Sequence, residues 1–154
     1  MTRERLDEID RKILRILQRD GRTSIKDIAD DIGKLSKVAV SYRVKRLRKI
    51  GVIQGFHARI DPDYVGQGFL FVTRLSISSK GARESLIAKK IAALDGVQSV
   101  IQTFGDYDML VIGRARDAVT ARDTIYRMLR IGGVRDSTTI VAHSVVKESL
   151  DVSL

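Results

Sequence analysis

Lys34, Lys37, Arg43, Lys45, Arg46, Arg48 and Lys49 put seven cations into sixteen consecutive residues with no acid among them. Cations at that density neutralise a polyanion, and in a helix they do so on one face. Val40, Val44 and Leu47 recur at i, i+4 and i+7, so the segment reads as a helix with an apolar inner stripe. With that stripe turned inward, Lys37, Val38, Ser41, Tyr42, Lys45, Arg48 and Lys49 occupy outer or flanking positions. A helix of this kind fits the major groove of a duplex, its first half against base edges and its cations against phosphates. Lys37, Ser41, Tyr42 and Lys45 are expected in the groove, Val38 against a thymine methyl, and Arg46, Arg48 and Lys49, provisionally, on phosphates. The bland alternative is a solvated basic face. A membrane-surface helix fits less well, because the outer face lacks the Trp, Phe and Leu that insert into lipid.

Other constellations carry less chemistry. Gly105-Asp106-Tyr107-Asp108 suits a tight turn between strands, since Gly and Asp adopt its backbone geometry. Asp106 and Asp108 would need further ligands to hold a metal. Gly66-Gln67-Gly68 begins a dinucleotide-like pattern, but Phe71 stands where its third glycine belongs. With no cysteine and only His57 and His143, thiolate metal sites are excluded and zinc has few ligands. His57 lies in an alternating stretch, where a lone histidine is structural. No enzyme, metal or cofactor is expected.

Elements must position these residues. The chain has 154 residues, 44% of them hydrophobic, and a net charge of +9. Residues 1–62 hold 16 Lys/Arg against 9 Asp/Glu, whereas residues 63–154 hold 12 against 10, so the polyanion partner belongs to the first part. No apolar run reaches the roughly 18 residues of a membrane span, and the start of the chain is charged, so a soluble, cytoplasmic protein is expected. The absence of asparagine and the abundance of Lys and Arg suit a heat-adapted source.

Leu6, Ile9, Ile13, Ile16 and Leu17 predict a helix over about 7–19. Ser24 and Asp27 form a capping-box pattern before a second helix ending at Gly33, and Ser36 caps the third, which Gly51 closes. From Val52 the period falls to two, with Val52, Phe56, Ala58 and Ile60 on one side of a predicted strand. Pro62 marks the passage to a second domain. There the pattern predicts strands at 69–78, 97–104, 107–115 and 135–147 and helices at 83–94 and 117–131, a βαββαβ order of the ferredoxin-like type. The expected domains are 1–52, a strand linker 53–68, and 69–154. Two helices cover one face of such a sheet, yet Leu110, Ile112, Ile140 and Val146 make the other face apolar too. A second copy of the chain is the expected cover.

Leu6-Asp7, Asp10, Ile13-Leu14, Leu17-Gln18 and Asp20-Gly21-Arg22 resemble the opening signature of the Lrp/AsnC (feast/famine) regulators. Arg43-Val44, Leu47, Gly51-Val52-Ile53, Gly55-Phe56, Asp61-Pro62 and Gly105-Asp106-Tyr107-Asp108 continue the resemblance over nearly the whole chain. It implies an α+β protein: an N-terminal winged helix-turn-helix domain, a strand linker, and a C-terminal ferredoxin-like effector (RAM) domain that forms homodimers and often octamers. It further implies transcription regulation through double-stranded DNA, with an amino acid as small-molecule effector held between dimers. On that reading the amides of Gly105, Asp106 and Tyr107 meet the effector carboxylate, Asp108 its ammonium, and Ser137 and Thr139 on the last strand contribute hydroxyls. The sequence departs from the pattern by an extra residue, Lys34, in the turn before the third helix. The alternative function is an architectural, chromosome-compacting protein that uses the same basic helix with little base selectivity.

Overall fold

The computed structural model describes residues 4–154 except 34, 79 and 80. The extra turn residue Lys34 lies outside the described residues. The chain divides into two compact units, one formed by Met1–Arg59 with Glu148–Leu154 and the other by Ile60–Lys147.

Three helices make the first unit: α1 (Glu8–Arg19), α2 (Ile25–Ile32) and α3 (Lys37–Lys49). Each begins where a side chain takes an orphan backbone donor. Asp7 accepts from the Asp10 amide at 2.7 Å, and Asp10 returns the bond to the Asp7 amide at 3.2 Å, a reciprocal box the sequence reading missed. At α2 the Ser24 hydroxyl accepts from the Asp27 amide at 3.1 Å and donates to the Asp27 carboxylate at 2.7 Å. The shorter acid therefore reaches the hydroxyl and not the backbone. Ser36 caps α3 through the Ala39 amide. Ile13, Leu14, Ile28, Ala29, Val40 and Leu47 form the core among the three helices.

Two expectations for this part are corrected. The alternating stretch from Val52 to Ile60, expected to supply the wing and linker strand, carries no strand among the described residues. A strand needs an edge to bond to, and among the described residues this unit has no other strand to supply one. At 54–61 neither helix nor strand is formed and 62–66 turn, with the Gln67 amide bonded to the Pro62 carbonyl at 2.7 Å. The last seven residues, expected with the second domain, fold with the first. Gln18 pairs with the backbone of Val152 in both directions, at 3.0 and 2.9 Å, and Arg15 donates to the Leu154 carbonyl at 3.0 Å. Leu154 packs against the helical core.

The second unit holds β1 (Phe69–Ile77), α4 (Ala82–Ala92), β2 (Val97–Gln102), β3 (Met109–Ala115), α5 (Ala118–Leu129) and β4 (Val134–Val141). The sheet order is β2-β3-β1-β4 and every pairing is antiparallel, the ferredoxin-like arrangement. The last strand is shorter than its apolar pattern predicts, ending at Val141. Phe71, Leu75, Met109 and Val111 on one face pack with Ile87 and Ile91 of α4 and Ala121 and Met128 of α5. Register puts Leu70, Val72, Leu110, Ile112, Ile101 and Ile140 on the opposite face, which neither helix covers.

Candidate nucleic-acid interface and effector turn

In α3, Val40 and Leu47 are fully buried, and the outward strip is formed by Val38, Tyr42, Lys45 and Lys49. Val38 is 79% and Tyr42 69% exposed, far more than a core helix leaves open to water. Lys37 and Arg48 are exposed beside the strip and Ser41 is half-buried on its flank. An exposed valine and tyrosine at i and i+4 thus stand between Lys37 and Lys45 on the outside of α3.

Arg46 departs from its expected place. Its guanidinium is bound to the Asp10 carboxylate and, at 3.0 Å, to Glu4, so it faces α1 and is not available to phosphate. Arg43 joins it, 2.8 Å from Asp10 and 2.7 Å from Asp7. Asp10 is fully buried between the two arginines. Hydrogen bonds from the Asp10 amide and from Arg43 hold the Asp7 carboxyl below the usual aspartate range, and the same contact with Asp7 raises the Arg43 guanidinium. The sequence carried a signal for this network: Asp10 sits within the apolar stripe of α1, between Leu6 and Ile13, where a charge has to be paired.

In the second unit the turn between β2 and β3 is fixed to β1. The Asp108 amide donates to the Leu75 carbonyl at 2.9 Å, and the Asp108 carboxylate accepts from the Ile77 amide at 2.6 Å. Asp108 is nearly buried, and one of its carboxylate oxygens secures the end of β1. Asp106 is the exposed acid of the turn, and Gly105, at φ +142, has a backbone that a side chain would strain.

Ser137 and Thr139 pair with Leu75 and Thr73 and so share the helix-covered face. The Thr139 hydroxyl is bonded to that of Thr73 at 2.9 Å. The register brings a different pair of side chains to the uncovered face, Arg74 and Thr138. The Arg74 guanidinium lies 4.4 Å from the centre of the Tyr107 ring. Sequence reading missed Arg74, whose only signal was that it is the one charged residue of β1. No group of three or more His, Cys, Asp or Glu able to hold a metal occurs among the described residues, and no helix among them is long and apolar enough to cross a membrane.

Residues 6–48 match the AsnC-type helix-turn-helix domain, and residues 73–152 match the Lrp/AsnC ligand binding domain. The chain is 32% identical over 147 residues to the HTH-type transcriptional regulator FL11 of Pyrococcus furiosus, covering 96% of this chain and 95% of that protein. It is 33% identical over 147 residues to the leucine-responsive regulatory protein of Klebsiella pneumoniae, covering 94% of this chain and 88% of that protein. Among solved structures, the feast or famine regulatory protein of M. tuberculosis complexed with L-methionine superposes with a TM-score of 0.85 at 27% identity, covering 96% of this chain and 99% of that one.

Proposed function

The chain belongs to the Lrp/AsnC family of helix-turn-helix transcriptional regulators, a family of regulators and not of enzymes, and on that premise we propose that it reads specific duplex sites as a homodimer and responds to an amino acid. The observation that carries the DNA reading is the outward strip of α3. Lys37, Ser41, Tyr42 and Lys45 meet base edges, Val38 meets a thymine methyl, and Arg48 and Lys49 neutralise phosphates. Arg46 is withdrawn from that set because it braces α3 against α1.

Homodimerisation is supported by the six apolar residues on the uncovered face of the sheet. Water against Leu70, Val72, Ile101, Leu110, Ile112 and Ile140 is unfavourable, and a second copy offers a matching surface. Two copies of α3 then read two half-sites. Phe104, fully exposed beside Gly105, is an apolar contact for assembly of dimers towards an octamer.

Amino-acid response is supported by the turn and by the L-methionine complex of the M. tuberculosis protein. The amides of Gly105, Asp106 and Tyr107 take the effector's α-carboxylate and Asp106 its ammonium. Asp108 positions the turn on β1.

Anisotropy of labelled duplexes tests the DNA reading. Lys45→Ala is expected to lower affinity for a selected site by about tenfold, the scale of one good base contact, and to change random duplex much less. Equal losses on both would move Lys45 to the phosphates.

A further inference from the structure

Arg43 and Arg46 lie one turn apart on a flank of α3, between its buried stripe and its outer strip, and both reach back to α1. Asp10 receives them. Its carboxylate is fully buried and accepts from Arg43 at 2.8 Å, from Arg46, and from the Asp7 amide at 3.2 Å. A second acid holds each guanidinium, Asp7 at 2.7 Å from Arg43 and Glu4 at 3.0 Å from Arg46.

Burying a carboxylate is costly, and well-packed apolar residues in place of a buried ion pair are often at least as stable. What the ion pair adds is direction. Burial of Val40, Val44 and Leu47 turns the stripe of α3 inward without fixing its angle, because the hydrophobic effect is non-directional. Two guanidinium groups on one flank, bonded to a single carboxylate that is itself tied into the cap of α1, admit one rotation of the helix.

That rotation bears on recognition. A turn of about 20° carries a side-chain tip roughly 5–6 Å from the helix axis through about 2 Å. A hydrogen bond to a base edge spans only about 2.7–3.2 Å and is lost in such a shift, whereas attraction between a cation and phosphates fades over a Debye length of about 8–10 Å. The angle of α3 therefore governs selectivity far more than charge-driven affinity.

We propose that Arg43 and Arg46, seated on Asp10, are positioning residues that fix the rotation of α3 and so set its base selectivity, without themselves touching DNA. The inference rests on α3 being the helix that reads sequence.

Anisotropy of the full chain on a selected duplex and on a random duplex of equal length, over a series of salt concentrations, tests it with Arg43→Lys, Arg46→Lys and Asp10→Asn. Each lysine keeps the charge and loses the fork, and Asp10→Asn keeps the shape and leaves every residue of α3 in place. Each variant is expected to lose about tenfold on the selected site, the scale of one base contact, with no loss on random duplex and the same salt slopes. Circular dichroism at the assay temperature is expected to show undiminished helix, which assigns the loss to folded chains. Should Asp10→Asn unfold, the two lysine variants carry the test. An equal loss on both duplexes would overturn the proposal, a shallower salt slope then assigning the arginine to a phosphate. Unchanged affinities in folded variants, with a lowered unfolding temperature, would also overturn it and leave the network a purely structural one. A wild-type affinity ratio near unity would remove the reading of α3 and this proposal with it.

Discussion

The two units solve opposite problems with their surplus residues. The helical unit places its surplus charge on the outside of α3 and secures that helix from behind with buried charge, Asp10 between Arg43 and Arg46. The sheet unit buries Phe71, Leu75, Met109 and Val111 under its helices and has apolar residues left over on the other face. The surface proposed for a polyanion is stabilised by ion pairs at its back, whereas the surface proposed for a second copy repeats the composition of a core. The difference teaches that the partner of each unit is legible in what its own fold leaves unsatisfied.

Breaking the buried pair should have the largest effect. Asp10→Ala strands two arginines beside the helical core, and loss of one partner from a buried ion pair costs about 3–5 kcal/mol. Calorimetric unfolding is expected to show the helical transition lowered and the sheet transition unmoved. A shift of both together would deny that the two units are separately built. In the sheet unit the corresponding break is Val72→Asp, at the centre of the uncovered face. An unpaired carboxylate in an apolar interface costs about 3 kcal/mol or more, so sedimentation should show single chains with unchanged circular dichroism. Persistence of the dimer would place the interface elsewhere.

Removing residues 148–154 sharpens the comparison further, because those residues follow the sheet unit in sequence and belong to the helical one. Loss of Leu154 from the core, with the Gln18 and Arg15 bonds, is expected to cost about 2 kcal/mol in the helical transition alone. The smallest effect is expected at Asp117, whose carboxyl is held down to about 2 by the Thr120 amide, then the Thr120 hydroxyl and Arg116. A carboxyl depressed in the folded state contributes stability that is full above the usual aspartate value of 3.8 and is lost as pH falls towards 2. Asp117→Asn should therefore flatten the acid limb of the sheet transition between those values. An unchanged acid limb would remove that linkage.

Much of this was legible from local signals. Ser24 and Ser36 stand immediately before apolar stripes, so the starts of α2 and α3 were readable to the residue. Alternation in 109–112 gave both faces of β3 because the period of a strand leaves no choice. What local pattern could not give was pairing. The stretch from Val52 to Ile60 alternates like a strand, but alternation specifies faces and not the edge that must accept the backbone bonds. Nor does local pattern show that Ser137 and Thr139 share the helix-covered face, or that Asp108 accepts from the Ile77 amide, since both depend on register. Arg46 read as one more surface cation because its acceptor, Asp10, lies 36 residues earlier in the chain.

The function proposed for the outer strip of α3 is to read sequence, beyond merely binding charge. It is tested most directly by titrating the wild-type chain against an enriched duplex site and a random duplex of equal length over a series of salt concentrations. An affinity ratio of about 10³ or more in favour of the enriched site is expected, with similar salt slopes for both. A ratio near unity at every salt concentration, with an equally steep slope, would contradict it and make the chain an architectural DNA-binding protein.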